Sequence, residues 1–386
     1  MSSFRTHGAR RRWPILLGFL GWWGCDGGEP ADTGSGGETG GETAGETAGE
    51  TAGDTDTGSG SADRRGDCGL EEGPPPTNHP LGDAYLAYPV YIAGTERRFE
   101  TIENAIWGAE TGDRVVVKAG TYPGTVDFHG KVITLCSESG PWVTILDAQG
   151  EGPVVRLRNW EPPETVLEGF TLTGGVGEGD ETFGPTPHGG GVFVEWGSPT
   201  VRHNVVVHNR AQIGAGIYVR NGAATVENNI VAWNTATQGG GALTCSACQG
   251  RIAFNTLYEN DSPAGPAMEY FWGAADFVGN LVVVPVHRTS AVRWLDPRKD
   301  VVWTGGPNLV WPTRDWLELA EDSEWPDFGT FVTADPGLTP GEGSSADDWR
   351  LPEGSAAIDA GPAEELDPDG SRSDAGAFGG PNGSWP

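Results

Sequence analysis

The sequence predicts an all-β solenoid, in which the chain winds into stacked coils. A block of about 25 residues repeats between positions 189 and 260, each with a Gly-rich entry and two short β-branched runs. Asparagines recur with the blocks at intervals of 25, 26, 25 and 28 residues, at Asn204, Asn229, Asn255, Asn280 and Asn308. A repeat of this length that is built from strands is typical of a solenoid, here of about eight to ten coils.

Composition narrows the class of protein. The 386 residues include 62 Gly and 29 Pro, which together with the repeat favours one elongated domain. The net charge of −30 argues against nucleic acid or an anionic membrane surface as a partner, because both would repel the chain. We expect a monomer.

The N-terminus has the pattern of an export signal. Arg10, Arg11 and Arg12 precede an apolar run over residues 13–23, which ends at Cys25. A basic start and a short apolar run indicate a secretory signal, too short to span a membrane comfortably. A cysteine at this point indicates a lipoprotein signal over residues 1–25, with Cys25 diacylated; the alternative is an ordinary signal with a free Cys25.

Residues 26–78 are rich in Gly, Glu and Thr and poor in apolar residues over most of their length, so we expect a flexible tether. The folded domain then covers residues 79–386. We expect an exported protein that touches a membrane only through its lipid, in the bacterial envelope or at the cell surface.

Four cysteines remain if Cys25 carries lipid. An even number in an exported chain suggests two disulfides. Their closeness in sequence suggests Cys245 with Cys248, which leaves Cys68 with Cys136. Zinc binding by the single CxxC pair is the alternative.

The first part of the domain reads as a helix followed by strands. Phe99, Ile102, Ala105 and Ile106 have helical spacing, and a helix here would cover the open end of the solenoid. We predict a turn over residues 119–123 and strands over residues 113–118, 132–135, 143–146 and 154–157.

The segment AIWGAETGDRVVVKAGTYPGTV, followed by GKVITL, resembles the opening of bacterial right-handed parallel β-helix proteins of the pectate lyase-like superfamily. The coils with GGG entries and paired asparagines resemble the parallel β-helix repeats of that group. The resemblance implies a single-stranded right-handed parallel β-helix with repeat coils over about residues 131–311. That fold hosts lyases, hydrolases, epimerases, adhesins and proteins without a known reaction.

The repeats indicate which side chains face inward. Val192, Ile217, Ala242 and Met268 are predicted to form one core column, and Val206, Val231, Leu257 and Val282 another. The asparagines Asn204, Asn229, Asn255 and Asn280 are predicted to form a structural ladder at a corner, where an amide tolerates a left-handed bend.

The outward columns are the candidate ligand-binding surface. The candidates are Phe193, Glu195, Tyr218, Arg220 and Trp233, because aromatic rings and charged groups together suit a sugar polymer. One predicted column contains Phe193, Tyr218, Leu243 and Glu269, and a second contains Glu195, Arg220 and Cys245. The other interpretation, which we favour, is cross-strand ion pairing, of Glu195 with Arg220 and of Arg202 with Glu227.

An acidic insertion lies beside these columns. Gly169 and Asn204 are 35 residues apart, about ten more than one coil, so residues 176–188 must loop out. Such loops line binding faces in solenoids, although a solvated, mobile loop is the alternative.

Catalytic candidates are Arg202, His203 and His208, which could support proton abstraction beside a uronate carboxyl. The Asp triplet of calcium-dependent pectate lyases and the paired aspartates of polygalacturonase-like hydrolases are not visible.

The C-terminal region resembles the choice-of-anchor Q type module of secreted β-helix proteins, through Ser355–Gly361, Asp367, Asp369, Gly370, Arg372 and Asp374–Phe378. Its aspartates could bind calcium, but too few further oxygen ligands are evident, so we expect residues 330–380 to cap the last coil, with no metal and no cofactor.

The expected function is binding or scaffolding of polysaccharide or another envelope component, without catalysis. The alternative is a polysaccharide lyase or glycoside hydrolase acting on an acidic polysaccharide.

Overall fold

A computed structural model describes residues 87–180, 184–288, 290–295, 305–312, 317–319 and 331–385. They form a parallel β-solenoid of about seven turns with 4% helix, which confirms the predicted all-β solenoid. The predicted signal and tether, with Cys25 and Cys68, lie outside these residues. Within the described ranges, no helix has the length and apolar character needed to cross a membrane.

The described chain begins with two short strands and a helix, Val90–Ile92, Arg98–Phe99 and α1, Ile102–Gly108. The helix forms where the apolar spacing predicts it, and Thr101 caps it by accepting a hydrogen bond from the Asn104 amide at 3.1 Å. Ile102, Ala105 and Ile106 are buried in the main core. The role of this helix as an end cap stays a prediction.

Each full turn contributes strands to three parallel columns. Column one contains Val126–Asp127, Val155–Leu157, Val192–Glu195, Ile217–Arg220, the first part of Leu243–Ala253, the first part of Met268–Val278, Val292–Trp294 and Leu317–Leu319. Column two contains Arg114–Val117, Thr134–Ser137, Val166–Glu168, Thr200–Arg202, Thr225–Glu227 and the remainders of the two long strands. Column three contains Gly120–Pro123, Thr144–Asp147, Thr171–Thr173, Val205–Val207, Ile230–Ala232, Thr256–Tyr258, Leu281–Val283, Asn308–Trp311 and Phe331–Val332. The predicted turn at 119–123 is therefore wrong over Gly120–Pro123, which pairs as a strand.

A small additional sheet precedes column one. It contains Glu178–Asp180, Gly184–His188, Arg210–Ile213 and Thr235–Gly239. The first two strands are antiparallel and form a hairpin, so the predicted loop at 176–188 is largely a β-hairpin.

Strand register sets the core. The predicted column of Val206, Val231, Leu257 and Val282 is confirmed, since these residues pair in succession and are fully buried. The other predicted column is wrong at one position, because Ile217 pairs with Leu243 and not with Ala242. The interval from Ile217 to Leu243 is 26 residues and that from Leu243 to Met268 is 25, so the prediction placed the extra residue one turn too late, and Met268 is correct.

Three corners separate the columns, and each is made by a residue in the left-handed conformation. The first corner lies between columns one and two and contains His129, Trp160, Trp196, Asn221 and Ala247, with φ of 50, 63, 61, 52 and 51°. The second corner lies between columns two and three and contains His203, Asn228, Phe254 and Gly279. The third corner follows column three and contains His208, Trp233 and Glu259. Side chains at such positions point away from the strand faces.

The asparagine ladder lies directly after the second corner. The Asn229 side chain accepts from the Asn204 amide at 3.1 Å and donates to the Val201 carbonyl at 2.8 Å and to Asn255 Oδ1 at 3.0 Å. The same pattern continues through Asn280 to Asn308. The left-handed residue is the one before each of Asn204, Asn229, Asn255 and Asn280, so the expectation that the asparagine itself takes the bend needs correction.

The C-terminal region covers the side of the stack. Residues 333–385 include one 3₁₀ helix, Ala346–Trp349, and pack mainly on the outer face of column three. Because these residues lie beside the coils and do not extend them, the stack has about seven turns and not eight to ten. The expectation of an end cap over residues 330–380 needs the same correction, since the contacts reach back as far as Trp142.

Candidate functional site

The predicted outward strip is brought together by the fold, but it is buried. Phe193 pairs in register with Tyr218, and Glu195 pairs with Arg220. Their exposed fractions are 0%, 4%, 7% and 3% for Phe193, Tyr218, Glu195 and Arg220. The next residues in these columns are Thr244 and Ser246, not Leu243 and Cys245 as aligned from the sequence. The interpretation of this strip as an exposed sugar-binding surface is therefore wrong.

The hairpin at Glu178–His188 lies against this strip. The His188 ring stacks on the Tyr218 ring with centroids 4.8 Å apart. Glu178 forms ion pairs with Arg156, at 2.9 Å, and with Arg158. The acidic insertion thus packs on the outward columns and covers the strip of Phe193, Tyr218, Glu195 and Arg220.

Charges in the strip are paired with one another. Arg158 Nε lies 3.1 Å from Glu195 Oε2, and Arg220 pairs with the other oxygen of the same carboxylate. Arg158 also lies over the Phe193 ring at 4.7 Å. Burial raises the pKa of Tyr218, so its phenol stays neutral. Cross-strand ion pairing, the interpretation that we favoured, therefore describes Glu195 and Arg220, whereas Arg202 forms its ion pair with Glu168 and not with Glu227.

Arg202 and His203 lie where column two meets the second corner, and both contact Glu168. Arg202 Nη2 lies 3.0 Å from Glu168 Oε2, and His203 Nδ1 lies 3.1 Å from Glu168 Oε1. His203 Nε2 contacts the Asn382 carbonyl at 2.7 Å, and only 6% of this residue is exposed. Arg202 therefore ties two strands of column two together, and His203 links column two to the C-terminal region.

His208 and Trp233 lie together on the third corner. Their rings stack with centroids 5.5 Å apart, and His208 is exposed. The rings of Trp233 and Trp349 also pack together, with centroids 5.3 Å apart, and this contact anchors the 3₁₀ helix. His208 and His203 are thus on different corners, although five residues separate them.

The aspartates of the C-terminal motif bind backbone amides. Asp367 Oδ1 accepts from the Gly380 amide at 2.6 Å, and Asp374 Oδ1 accepts from the Asp359 amide at 2.9 Å. With Asp369, they line an open cavity of about 510 Å³ that also has Arg350, Phe378 and Trp385 in its wall. Among the described residues, no group of three or more His, Cys, Asp or Glu is placed to hold a metal ion.

Two of the cysteines form a short loop. Cys245 and Cys248 are bonded to each other, with Cα atoms 5.4 Å apart, and both are buried. Cys136 is also disulfide-bonded and buried, while its predicted partner Cys68 lies outside the described residues.

The exposed aromatic surface lies on the first corner. Trp160 and Trp196 stack with centroids 5.4 Å apart and are 70% and 42% exposed. Trp272, 48% exposed, pairs with Ser246, the residue before the corner residue Ala247, at a register shift between the two long strands, and so lies beside this corner. Trp107, 58% exposed, stacks on His129 at 4.4 Å. Of the tryptophans that the structure describes, the four that are more than 40% exposed are Trp160 and Trp196 on this corner, Trp272 beside it, and Trp107 on α1 against His129.

Close packing of successive turns supports this corner. A Cβ added to Gly222 would lie 2.2 Å from the Gly197 carbonyl oxygen, so only glycine fits there. The Gly222 carbonyl in turn accepts from the Gln249 amide at 2.7 Å. The backbone under the rings is therefore fixed by contacts between neighbouring turns.

Sequence reasoning missed these tryptophans, although the repeat contains a signal. Trp196, Asn221, Ala247 and Trp272 each precede a column-two residue by five positions, in WGSPTV, NGAATV, ACQGRI and WGAADF. The signal is interrupted in the middle two turns. An alignment that follows only inward and outward strand positions leaves such corner residues out.

Comparison of the chain with models of known protein families, with curated proteins and with solved structures found no match.

Proposed function

We propose that this protein is displayed at the bacterial cell envelope and binds polysaccharide, without catalysis, through the first corner of its solenoid. The observation that carries the proposal is the stacked and largely exposed pair Trp160 and Trp196. Large apolar side chains that remain clustered in solvent mark binding sites, because leaving them exposed costs free energy.

The chemistry of the corner suits a sugar. The C–H face of a pyranose packs on an indole ring, and its hydroxyls need donors and acceptors nearby. Asn159, which precedes Trp160, and Gln249, which follows Ala247 by two residues, are exposed, and Asn221 lies on the corner itself. An aromatic platform with neutral amides binds a sugar chain without requiring charge on it.

The sequence supports the proposed display at the envelope. The basic start, the apolar run and Cys25 have the lipoprotein pattern, and residues 26–78 would let the solenoid stand away from the membrane. Labelling with a radioactive fatty acid tests this: the intact protein should be labelled and a Cys25→Ser variant should not. Equal labelling of both would exclude Cys25 as the anchor.

We do not propose catalysis. Arg202 and His203 are engaged with Glu168, and His203 also with Asn382, in contacts that hold the fold. His208 is exposed on the third corner beside Trp233. No observation on the described residues favours the lyase or hydrolase alternative.

Affinity electrophoresis of the full-length protein through gels containing single polysaccharides tests the proposal. At least one polysaccharide should retard the protein. Trp160→Ala and Trp196→Ala should each weaken binding by about tenfold or more, since losing a buried aromatic contact costs about 1.4 kcal/mol or more.

His208→Ala is the matched control, because it removes an exposed, stacked ring from an equivalent left-handed position on another corner. It should bind as the unmodified protein does. Equal losses in all three variants would contradict the assignment to the first corner, and so would unchanged binding by both tryptophan variants.

A further inference from the structure

The aromatic residues of the first corner form a row that follows the stack from turn to turn. Trp196 is followed by Asn221, Ala247 and Trp272, each five positions before Val201, Val226, Ile252 and Phe277. Those four column-two residues pair in register from one turn to the next. Trp272 itself pairs with Ser246, the residue before Ala247, because the two long strands shift register there. The row therefore follows the axis of the stack from Trp196 to Ala247 and is displaced by one residue at Trp272.

Distances along this row follow from strand spacing. Neighbouring strands lie about 4.8 Å apart, so Trp196 and Trp272 are separated by three turns, or about 14 Å. Trp160 occupies the turn before Trp196, in contact with it. Asn221 and Ala247, with smaller side chains, fill the interval between the two aromatic positions.

From this geometry, and resting on the proposed function, we infer that the ligand is an extended, uncharged glycan that lies parallel to the stack axis and contacts both Trp160–Trp196 and Trp272. An extended sugar chain advances by a length similar to one turn for each residue. With about one sugar per turn, several sugars lie between the Trp160–Trp196 pair and Trp272. They pass over Asn221 and Ala247, whose side chains are smaller than that of tryptophan.

Charge argues for an uncharged chain. The protein has a net charge of −30, which repels a polyanion. Glu103 lies at one end of the row, where its carboxylate accepts from Trp107 Nε1 at 2.8 Å and contacts His129 Nε2 at 2.8 Å. Lys131, nearby, donates to the Ala109 carbonyl at 2.9 Å. A uronate polymer would therefore meet negative charge at this corner.

A length series of linear neutral oligosaccharides, from two to eight sugars, tests the inference by calorimetry on the full-length protein. The series is prepared from the polysaccharide that retards the protein most in the gels. Affinity should rise by about tenfold or more between three and six sugars, because a second contact on the same ligand adds avidity. In Trp272→Ala this rise should disappear, while affinity for the trisaccharide stays unchanged.

The outcomes separate the inference from the proposed function. If Trp196→Ala abolishes binding but affinity is already maximal for the trisaccharide, glycan binding stands and the extended site is overturned. A Trp272→Ala variant that keeps the full length dependence overturns it as well, and so does tighter binding of pectate than of every neutral polymer. If no polysaccharide binds at all, the proposed function itself fails.

Discussion

The first and second corners of the solenoid have the same backbone design and opposite surroundings. Each is built on left-handed residues, such as Trp196 on the first and Asn228 on the second. The second corner is covered by the C-terminal segment: Asn228 Nδ2 donates to the Ala377 and Gly379 carbonyls, at 3.0 and 2.8 Å. The first corner keeps its tryptophans in solvent.

This difference shows that corner geometry alone does not decide between scaffold and site. The C-terminal segment runs back along the second corner, from Gly376 at Gly279 to Asn382 at His203. Its backbone carbonyls contact Asn228 Nδ2 and His203 Nε2 there, so the second corner is an internal surface. Coverage by a distant part of the chain makes one corner structural and leaves the other available for binding.

The largest expected effect comes from uncovering the side of the stack. Trp349 is 1% exposed, donates to the Gly343 carbonyl at 3.1 Å and packs against Trp233 and Tyr258. Trp349→Ala should lower the free energy of unfolding by about 3–5 kcal/mol, as large-to-small substitutions of buried aromatics do. Urea denaturation followed by circular dichroism measures the loss.

Trp196→Ala is the counterpart on the first corner. Because 42% of this side chain is exposed, we expect a loss below about 1 kcal/mol. Trp349→Ala, under conditions where it stays folded, should keep its glycan affinity. Similar destabilisation by the two substitutions would show that the first corner is also structural.

Much of the fold could be predicted from the sequence, because coils that stack directly on one another repeat their chemistry. The asparagine spacing located the ladder, and the apolar alternation located the column that contains Val206 and Val231. The error at Ala242 arose where one turn has 26 residues and the entry reads Gly-Gly-Gly, so that two registers fit equally well.

The surroundings of each outward face could not be predicted in this way. Alternation shows that Glu195 and Arg220 leave the core, but their cover, the hairpin ending at His188, is an insertion outside the repeat. The C-terminal contacts join residues far apart in sequence, such as His203 and Asn382, 179 positions apart. No local pattern encodes such pairs.

A smaller loss is expected from interrupting the ladder. Asn229 is fully buried, and Asn229→Ala would leave the Val201 carbonyl and the Asn204 amide without this partner. Buried polar groups that lose their partners cost about 1–3 kcal/mol each, so we expect a loss of about 2–4 kcal/mol in urea denaturation.

The control for the ladder is Asn221→Gly on the first corner, where glycine keeps the left-handed backbone without strain. We expect a change within about 0.5 kcal/mol, as is usual at the surface. A loss as large as that of Asn229→Ala would mean that Asn221 also supports the stack.

The smallest effect concerns how firmly the C-terminal segment is held at different pH. Burial raises the pKa of Asp367, and the charges of Asp374 and Asp369 raise it further, against the opposing hydrogen bond from Gly380. The folded protein then binds this proton more tightly than the unfolded chain does. Stability must therefore fall as pH rises from the ordinary aspartate pKa, about 4, through the raised value.

Asp367→Asn removes this titration, so its stability relative to the unmodified protein should increase as pH rises from 3.5 to 6.5. Asp369→Asn should show the opposite slope, because hydrogen bonds from Ser371 lower the pKa of Asp369. Its carboxylate then contributes stability above the ordinary pKa that is lost as pH falls through the lowered value. Urea midpoints measured from pH 3.5 to 6.5 give the difference for Asp367→Asn, and midpoints extended down to pH 2 give that for Asp369→Asn, whose pKa lies below the ordinary value. If the stability differences of the two variants changed with pH in the same direction, the assignment of Asp367 as a carboxylate whose charge destabilises the fold would be contradicted.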